Sequence, residues 1–395
     1  MSSQPLTDRP RRVASIDAFR GFVMFLMMAE ELRLGRIARE LPDSSFWEFL
    51  AFHQSHVPWT GCSLHDLIQP SFSFLVGVAL PFSLLARRKK GMTNTQLWAH
   101  TLKRALILIL LGIFLRSMHS SQTNFTFEDT LTQIGLGYPF LFALGFAKPR
   151  IQLITFSAIL IGYWLLFATY PLPGPDFDWS KTGVPADWEH HLKGFAAHWN
   201  KNTNPAWAFD QWFLNLFPRE KPFVYNGGGY STLSFIPTLA TMILGLFAGQ
   251  WLRDQKPNLL KTFLLVGGGL LLFSLILSWM GISPIVKRIW TPGWVLFSGG
   301  WAFLFMGLFY YLADMRQIKK PFYFLLVIGA NSIAAYVLAE VGPRFIHESM
   351  EIHFGKDYFM WVGEPYFHLV RGAFQLLMLW LILRWMYVNK IFIKI

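Results

Sequence analysis

The sequence predicts an all-α fold: a polytopic integral membrane bundle of about ten transmembrane helices with one long extracytoplasmic loop. Three observations carry that prediction. Apolar residues fill 53% of the 395 positions, charged residues only 15%, and mean hydropathy is +0.36. The apolar excess falls in blocks of roughly 20 residues, the length that crosses a hydrocarbon core of about 30 Å. These blocks are apolar on all sides, whereas a soluble helix shows a single apolar stripe.

In order, the blocks run over residues 16–34, 64–86, 101–118, 133–147, 151–170, 233–252, 262–281, 294–314, 322–341 and 367–388. The first carries Asp17 and Arg20 and leads into further membrane, so it reads as a retained anchor and not a cleaved signal. The second is closed by Arg87-Arg88-Lys89-Lys90, and Lys148-Pro149-Arg150 divides the fourth from the fifth. Between the fifth and sixth lies the one long loop, residues 171–232, rich in Pro and Trp. Its aromatic content predicts an ordered cap. Gly227-Gly228-Gly229 before Tyr230 has the wrong spacing for a phosphate loop and reads as the approach to the sixth span. The whole of 1–395 is expected to be a single domain, with residues 1–12 as a short cytoplasmic arm.

A net charge of +12 would point to nucleic acid in a soluble protein. Here the bias of short loops explains it, and no nucleic acid partner is expected. Arg9, Arg11, Arg12, Arg87 to Lys90, Lys148, Arg150, Arg253, Lys256, Arg316, Lys319, Lys320, Lys390 and Lys394 fall on one side. Asp43, Glu48, Glu128, Asp129, Asp176, Asp178, Asp187 and Glu189 fall on the other. Both termini are therefore expected in the cytoplasm, and His56 on the far side. The lone Cys62 excludes an intrachain disulfide.

Charges in a bilayer cost a few kcal/mol each and face a partner or a cavity. Asp17 and Arg20, three apart, share a helix face: they form an interfacial ion pair, or Arg20 also meets an anionic ligand. Glu30 and Glu31 close the first span, and only one of two adjacent acids can face a site. His53 and His56 are three apart, which predicts one face of a short helix before Pro58. With His65 and Asp66 they lack the spacing of a metal centre, so no metal is expected. A histidine beside a carboxylate is instead the arrangement of a general base. Arg104 and Arg116 flank an apolar span, where they snorkel or, for Arg104, contact a phosphate. Asn331 bonds between helices or reaches a ligand.

Five motifs in order resemble the heparan-α-glucosaminide N-acetyltransferase family. They are Ser15-Ile16-Asp17-Ala18-Phe19-Arg20-Gly21; His56-Val57-Pro58-Trp59-Thr60-Gly61 with Asp66-Leu67-Ile68-Gln69-Pro70; Gln133-Ile134-Gly135-Leu136-Gly137-Tyr138; Ser234-Phe235-Ile236-Pro237; and Gly329-Ala330-Asn331-Ser332. The resemblance covers residues 13 to 340, and this chain looks like a bacterial-type member in the cytoplasmic (inner) membrane. It implies a transmembrane acetyltransferase that takes acetyl-CoA from the cytoplasm and acetylates an amino sugar or glycan across the membrane. In that family the histidine before the tryptophan-glycine motif is catalytic, and His56 occupies its place. Thr60 and Glu31 depart from the pattern, both standing where the family has Asn.

On this reading His56 deprotonates the acceptor or takes the acetyl group itself, with Glu31 or Asp66 orienting its ring. Asp17, Arg20, Arg104 and Asn331 are the expected CoA-binding residues. Glu30, Trp59, His198 and Asn200 are expected to bind the acceptor. A multi-span transporter of a sugar or anionic solute remains the alternative, and a homodimer is left open.

Overall fold

The computed structural model describes residues 13–393 apart from residues 319 and 357. The arm of residues 1–12, with Arg9, Arg11 and Arg12, lies outside the described residues, as do Lys319 and Lys394. Helices dominate the rest, and among the described residues the only β contact is one antiparallel bridge, Thr60 to Val286. The fold is all-α and of polytopic membrane type.

The helices are α1 (Ala14–Met28), α2 (Leu34–Glu40), α3 (Ser45–His53), α4 (Ile68–Lys89), α5 (Asn94–Ser117), α6 (Thr130–Leu144) and α7 (Pro149–Ala168). They continue as α8 (Pro205–Phe213), α9 (Phe235–Arg253), α10 (Leu259–Trp279), α11 (Pro292–Phe309), α12 (Tyr323–Ala330), α13 (Ser332–Phe354) and α14 (Glu364–Val388). Local chemistry sets many of the starts. Thr93 and Gln96 form a reciprocal capping box on α5, and the Asp129 carboxylate accepts from Leu131 N and Thr132 N to begin α6. Pro149 and Pro292 occupy first-turn positions of α7 and α11.

Every expected span is helical, but the ten are not alike. Among the described residues seven helices are long and apolar enough to cross a membrane: those of α4, α5, α7, α9, α10, α11 and α14. An eighth crossing is broken, because α12 and α13 meet at an 88° bend at Asn331. The helices α1 and α6 are 15 residues each, and at 1.5 Å per residue that is about 22 Å. Of the roughly ten expected spans, seven or eight are therefore of full length among the described residues, and α1 and α6 are short. The short helices α2 and α3 were not foreseen.

At the centre, α4, α9 and α11 are mostly buried, whereas α5, α7 and α10 present Leu102, Leu106, Ile154, Ile161, Leu265 and Leu272 outward. That division suits a bundle whose rim meets lipid. The α4–α9 contact is backbone on backbone: a methyl at Gly245 would collide with the Phe74 carbonyl, and one at Gly77 with that of Met242. Small residues permit this approach where no hydrophobic effect drives helices together. Residues 171–232 form an ordered mass of short turns and α8, built around the buried Trp199.

Candidate active site

The site assembles where three loops meet the N-terminal end of α4. Helix α3 stops at His53, so His56 lies beyond it in an extended loop; the expected shared helical face with His53 does not form. His53 Nδ1 instead accepts from Leu64 N at 3.1 Å and pins the loop's return. His56 Nδ1 lies 2.8 Å from Asp66 Oδ1. Asp66 is 1% exposed, and its other oxygen accepts from Val57 N at 3.2 Å and Ser63 N at 3.1 Å. A buried group facing only donors is a carboxylate, which places the proton on Nδ1. Nε2 makes no hydrogen bond among the described residues, and 36% of the His56 side chain remains accessible. The ring's free edge opens into a cavity.

A third member was not foreseen. Lys287, 4% exposed, sets Nζ 3.1 Å from His56 Nδ1 and 3.3 Å from Asp66 Oδ1. It sits in the loop between α10 and α11, which the Thr60–Val286 bridge and the Gly61 N to Ile285 O bond (3.0 Å) hold beside the His56 strand. Thr291 closes that loop, its Oγ1 accepting from Val286 N and capping α11 through Trp294 N. The next residue, Arg288, donates to Val57 O at 3.2 Å and to Gly228 O at 2.8 Å, tying the same strand to the cap. Burial pushes the Lys287 ammonium down to about 8, although Asp66 opposes the shift. Burial, with Lys287 in support, also holds His56 below the usual imidazole range, against the pull of Asp66. No run of residues singled Lys287 out, because the loops on that side also carry Arg33, Arg36, Lys181, Lys193 and Lys201.

The cavity in front of His56 has a volume of about 570 Å³. Glu30, Glu128, Glu340 and Tyr230 line it, with Arg116 and Lys287 as its cations. The His65 ring packs at a tilt of 54° with its centroid 4.6 Å from that of His56, and its Nε2 lies 3.9 Å from Glu30 Oε2. Of the two adjacent acids, Glu30 is thus the one beside the site. The expectation that Glu31 orients His56 is not met: it pairs with Arg33 at 3.7 Å and lines a different cavity, with Arg344 and Arg371.

A second cavity of about 490 Å³ lies on the basic side, lined by Asp17, Arg20, Arg87, Lys89 and Arg104 over an apolar floor. Arg104 donates to Tyr138 OH at 3.1 Å, stacks 4.6 Å over that ring, and keeps a buried Nε without a partner. Asp17 and Arg20 are 3.3 Å apart. The two cavities are stacked along the same helix faces. Asp17 and Arg20 line one and Met24 and Met27 the other; Ser332 and Ile333 line one and Tyr336 and Glu340 the other. Phe72 of α4 lines both and forms the wall between them.

Four expected ligand contacts are placed elsewhere. Asn331 is fully buried at the α12–α13 bend, donating to Ile391 O at 2.7 Å and accepting from Ile393 N at 3.0 Å. It holds the chain's end against the bend because a broken helix leaves groups there to satisfy. Trp59 is buried and donates to Trp199 O at 3.0 Å. His198 Nδ1 bonds Tyr170 O at 2.9 Å, and Asn200 exchanges two bonds with Leu192. All three hold the cap together, and the cap's contribution to the His56 cavity is Asn226, Gly228 and Tyr230 instead. Among the described residues no group of three or more His, Cys, Asp or Glu side chains could hold a metal ion.

Over 391 residues the chain is 25% identical to the heparan-alpha-glucosaminide N-acetyltransferase of Homo sapiens, covering 87% of this chain and 55% of that protein. The Mus musculus protein of the same name is 23% identical over 379 residues, covering 86% and 55%. Over most of its length the chain is thus similar to heparan-alpha-glucosaminide N-acetyltransferases. It spans about half the length of the curated relatives it matches. A shorter match, 32% over 105 residues and 26% of this chain, is to GPI-anchored wall transfer protein 1 of Emericella nidulans. No family model matches the chain.

Proposed function

We propose that this protein is a membrane acetyltransferase that moves an acetyl group from acetyl-CoA on the cytoplasmic side to an amino sugar or glycan on the outer side. The observation that carries this reading is the pair of stacked cavities with His56 at the head of one and guanidinium groups in the other. The basic cavity fits a phosphate-bearing acyl carrier: Arg20, Arg87 and Arg104 offer charged donors, Arg104 has an unused buried N–H, and the apolar floor suits a thin alkyl arm. Acetyl-CoA, when bound, would supply a thioester carbonyl. The orientation, with both termini inside, follows the basic side chains of Arg87 to Lys90, Lys148 and Arg253.

His56 acts as general base. Its Nδ1–H is held by Asp66, which fixes the tautomer and leaves the Nε2 lone pair facing the acceptor cavity. Nε2 takes the proton from the acceptor nitrogen or hydroxyl as that atom bonds to the acyl carbon; the carbon–sulfur bond breaks, and the thiolate recovers the same proton from the imidazolium. Asp66 faces the positive charge that arises on the ring. The acids Glu30, Glu128 and Glu340 suit an acceptor rich in donors, such as an amino sugar. A single domain of residues 1–395 accounts for both cavities.

The test is thiol release from acetyl-CoA in the purified full-length protein, with glucosamine as acceptor. His56→Ala should lower the rate by about 100- to 10,000-fold, the usual span for a positioned base, with normal expression and gel-filtration behaviour. Undiminished turnover in that variant overturns the assignment. So does a wild-type protein that neither releases thiol nor gains thermal stability with acetyl-CoA, the behaviour of a transporter.

A further inference from the structure

Lys287 is the buried charge that the reaction outlined above does not use. Burying an ammonium group is costly, and such a group persists where a partner compensates it. Here the partner is Asp66, 3.3 Å away, and the backbone pairing of residues 60–61 with residues 285–286 fixes the approach. Nζ also lies 3.1 Å from His56 Nδ1. That nitrogen has one hydrogen-bonding position and spends it donating to Asp66, so the contact with Lys287 is electrostatic and its hydrogens aim at the carboxylate. Position decides what the ammonium can do. It stands on the Asp66 side of the ring, away from the Nε2 edge where acyl transfer would occur.

We infer that Lys287 is a positioning residue for His56: its charge beside Nδ1 and Asp66 keeps the imidazole neutral, so that Nε2 is free to take a proton. Without it, Asp66 would face His56 alone, and a larger share of the pair would stand as carboxylate and imidazolium, the form that cannot act as a base. With it, Asp66 is neutralised by a charge that is not the ring's own. The other groups bearing on the ring do not replace it. Arg288 is engaged with two carbonyls, and His65 is itself a titrating imidazole. Across the cavity, Arg116 stands among the acids Glu128, Asp129 and Glu340, with Glu30 and Tyr230 on the adjoining walls. This inference rests on the general-base role proposed for His56.

The experiment titrates His56 directly, with and without catalysis. Diethyl pyrocarbonate modifies only unprotonated imidazole, and the rate of modification of His56, read by mass spectrometry against pH, gives its midpoint in the full-length protein in detergent. Lys287→Met and Lys287→Gln should each raise that midpoint by about one pH unit, the effect of removing a like charge at this range. The acid limb of kcat/KM should move with it. Lys287→Arg keeps the charge and should leave the midpoint in place, even if its longer fork lowers kcat. Gln retains a donor of similar length, so it reports the midpoint if the Met variant aggregates. An unmoved midpoint in the Met or Gln variant overturns the inference, as does a shift of equal size in the Arg variant. An acetyl adduct on Lys287 after incubation with acetyl-CoA also overturns it, by making the lysine an acyl carrier. Loss of all turnover in the wild type would defeat the proposed function but leave the labelling midpoints readable, so the two failures are distinguishable.

Discussion

The two cavities on either side of Phe72 share helix faces yet differ in kind. The basic one places arginines over an apolar floor, with a single acid, Asp17, beside Arg20. The other crowds His56 and Lys287 among carboxylates, so that acids and bases stand within contact of one another. Groups of one sign over a greasy surface are suited to holding an anion with an alkyl arm. Groups of opposed sign, desolvated and bonded in series, are suited to moving a proton. The same five helices, α1, α4, α5, α6 and α13, thus line a binding half and a chemical half, while loops bring His56 and Lys287 to the second.

If that division holds, substitutions in the two halves should fail differently. Beside the loss expected for His56→Ala, the largest effect belongs to Asp66→Asn. The amide cannot stabilise the imidazolium that forms during transfer, and kcat should fall by about a hundredfold or more. The sign of the pH effect separates it from Lys287. Asp66 raises the His56 pKa, so its loss should move the acid limb of kcat/KM to lower pH, whereas loss of Lys287 moves it to higher pH. The variant also leaves Lys287 buried without its counter-ion, at a cost of about 3–5 kcal/mol for a broken buried pair. A limb that moves to higher pH in Asp66→Asn would break the assignment of the dyad.

In the binding half, Arg104→Met should raise KM for acetyl-CoA about tenfold with kcat little changed, as expected when a charged hydrogen bond of about 1.5–3 kcal/mol to the ligand is lost. The pH profile should stay where it is. Titrating acetyl-CoA at saturating acceptor checks both at once. A fall in kcat with an unchanged KM would place Arg104 in the chemical half and dissolve the contrast.

The sequence made some of this legible and hid the rest for physical reasons. Apolar blocks and their flanking charges report solvent, so the membrane bundle and the basic end could be read from runs of residues. The His56–Asp66 contact was also readable, because both lie within one loop and the start of the helix after it. What failed was anything decided by tertiary placement. Whether Glu30 or Glu31 meets the site depends on where α1 tightens into a 3₁₀ turn over Ala29–Leu32. Asn331 looked like a midspan amide because the bend beside it leaves the hydropathy of residues 322–341 unbroken. Lys287 lies 231 positions from His56, and tertiary contacts such as the bridge from Thr60 to Val286 bring them together. Trp59, His198 and Asn200 have the composition of a sugar site, but their polar atoms are engaged in the cap's own hydrogen bonds.

The smallest expected effect tests that last distinction. Asn200 accepts from Leu192 N at 2.7 Å and donates to Leu192 O at 3.1 Å, which closes the turn around Trp199. Asn200→Ala removes both bonds and leaves two buried backbone groups unsatisfied, at about 1–3 kcal/mol each before water relieves them. The melting temperature should drop by a few degrees. The stabilisation expected on adding acetyl-CoA should persist at its wild-type size, because the cavity proposed for that ligand is the basic one. KM for the acceptor should change less than for Glu30→Gln, whose side chain lines the His56 cavity itself. If Asn200→Ala instead raised the acceptor KM more than Glu30→Gln while melting normally, the cap amide would be a sugar contact and the acceptor site would extend beyond the cavity that His56 faces.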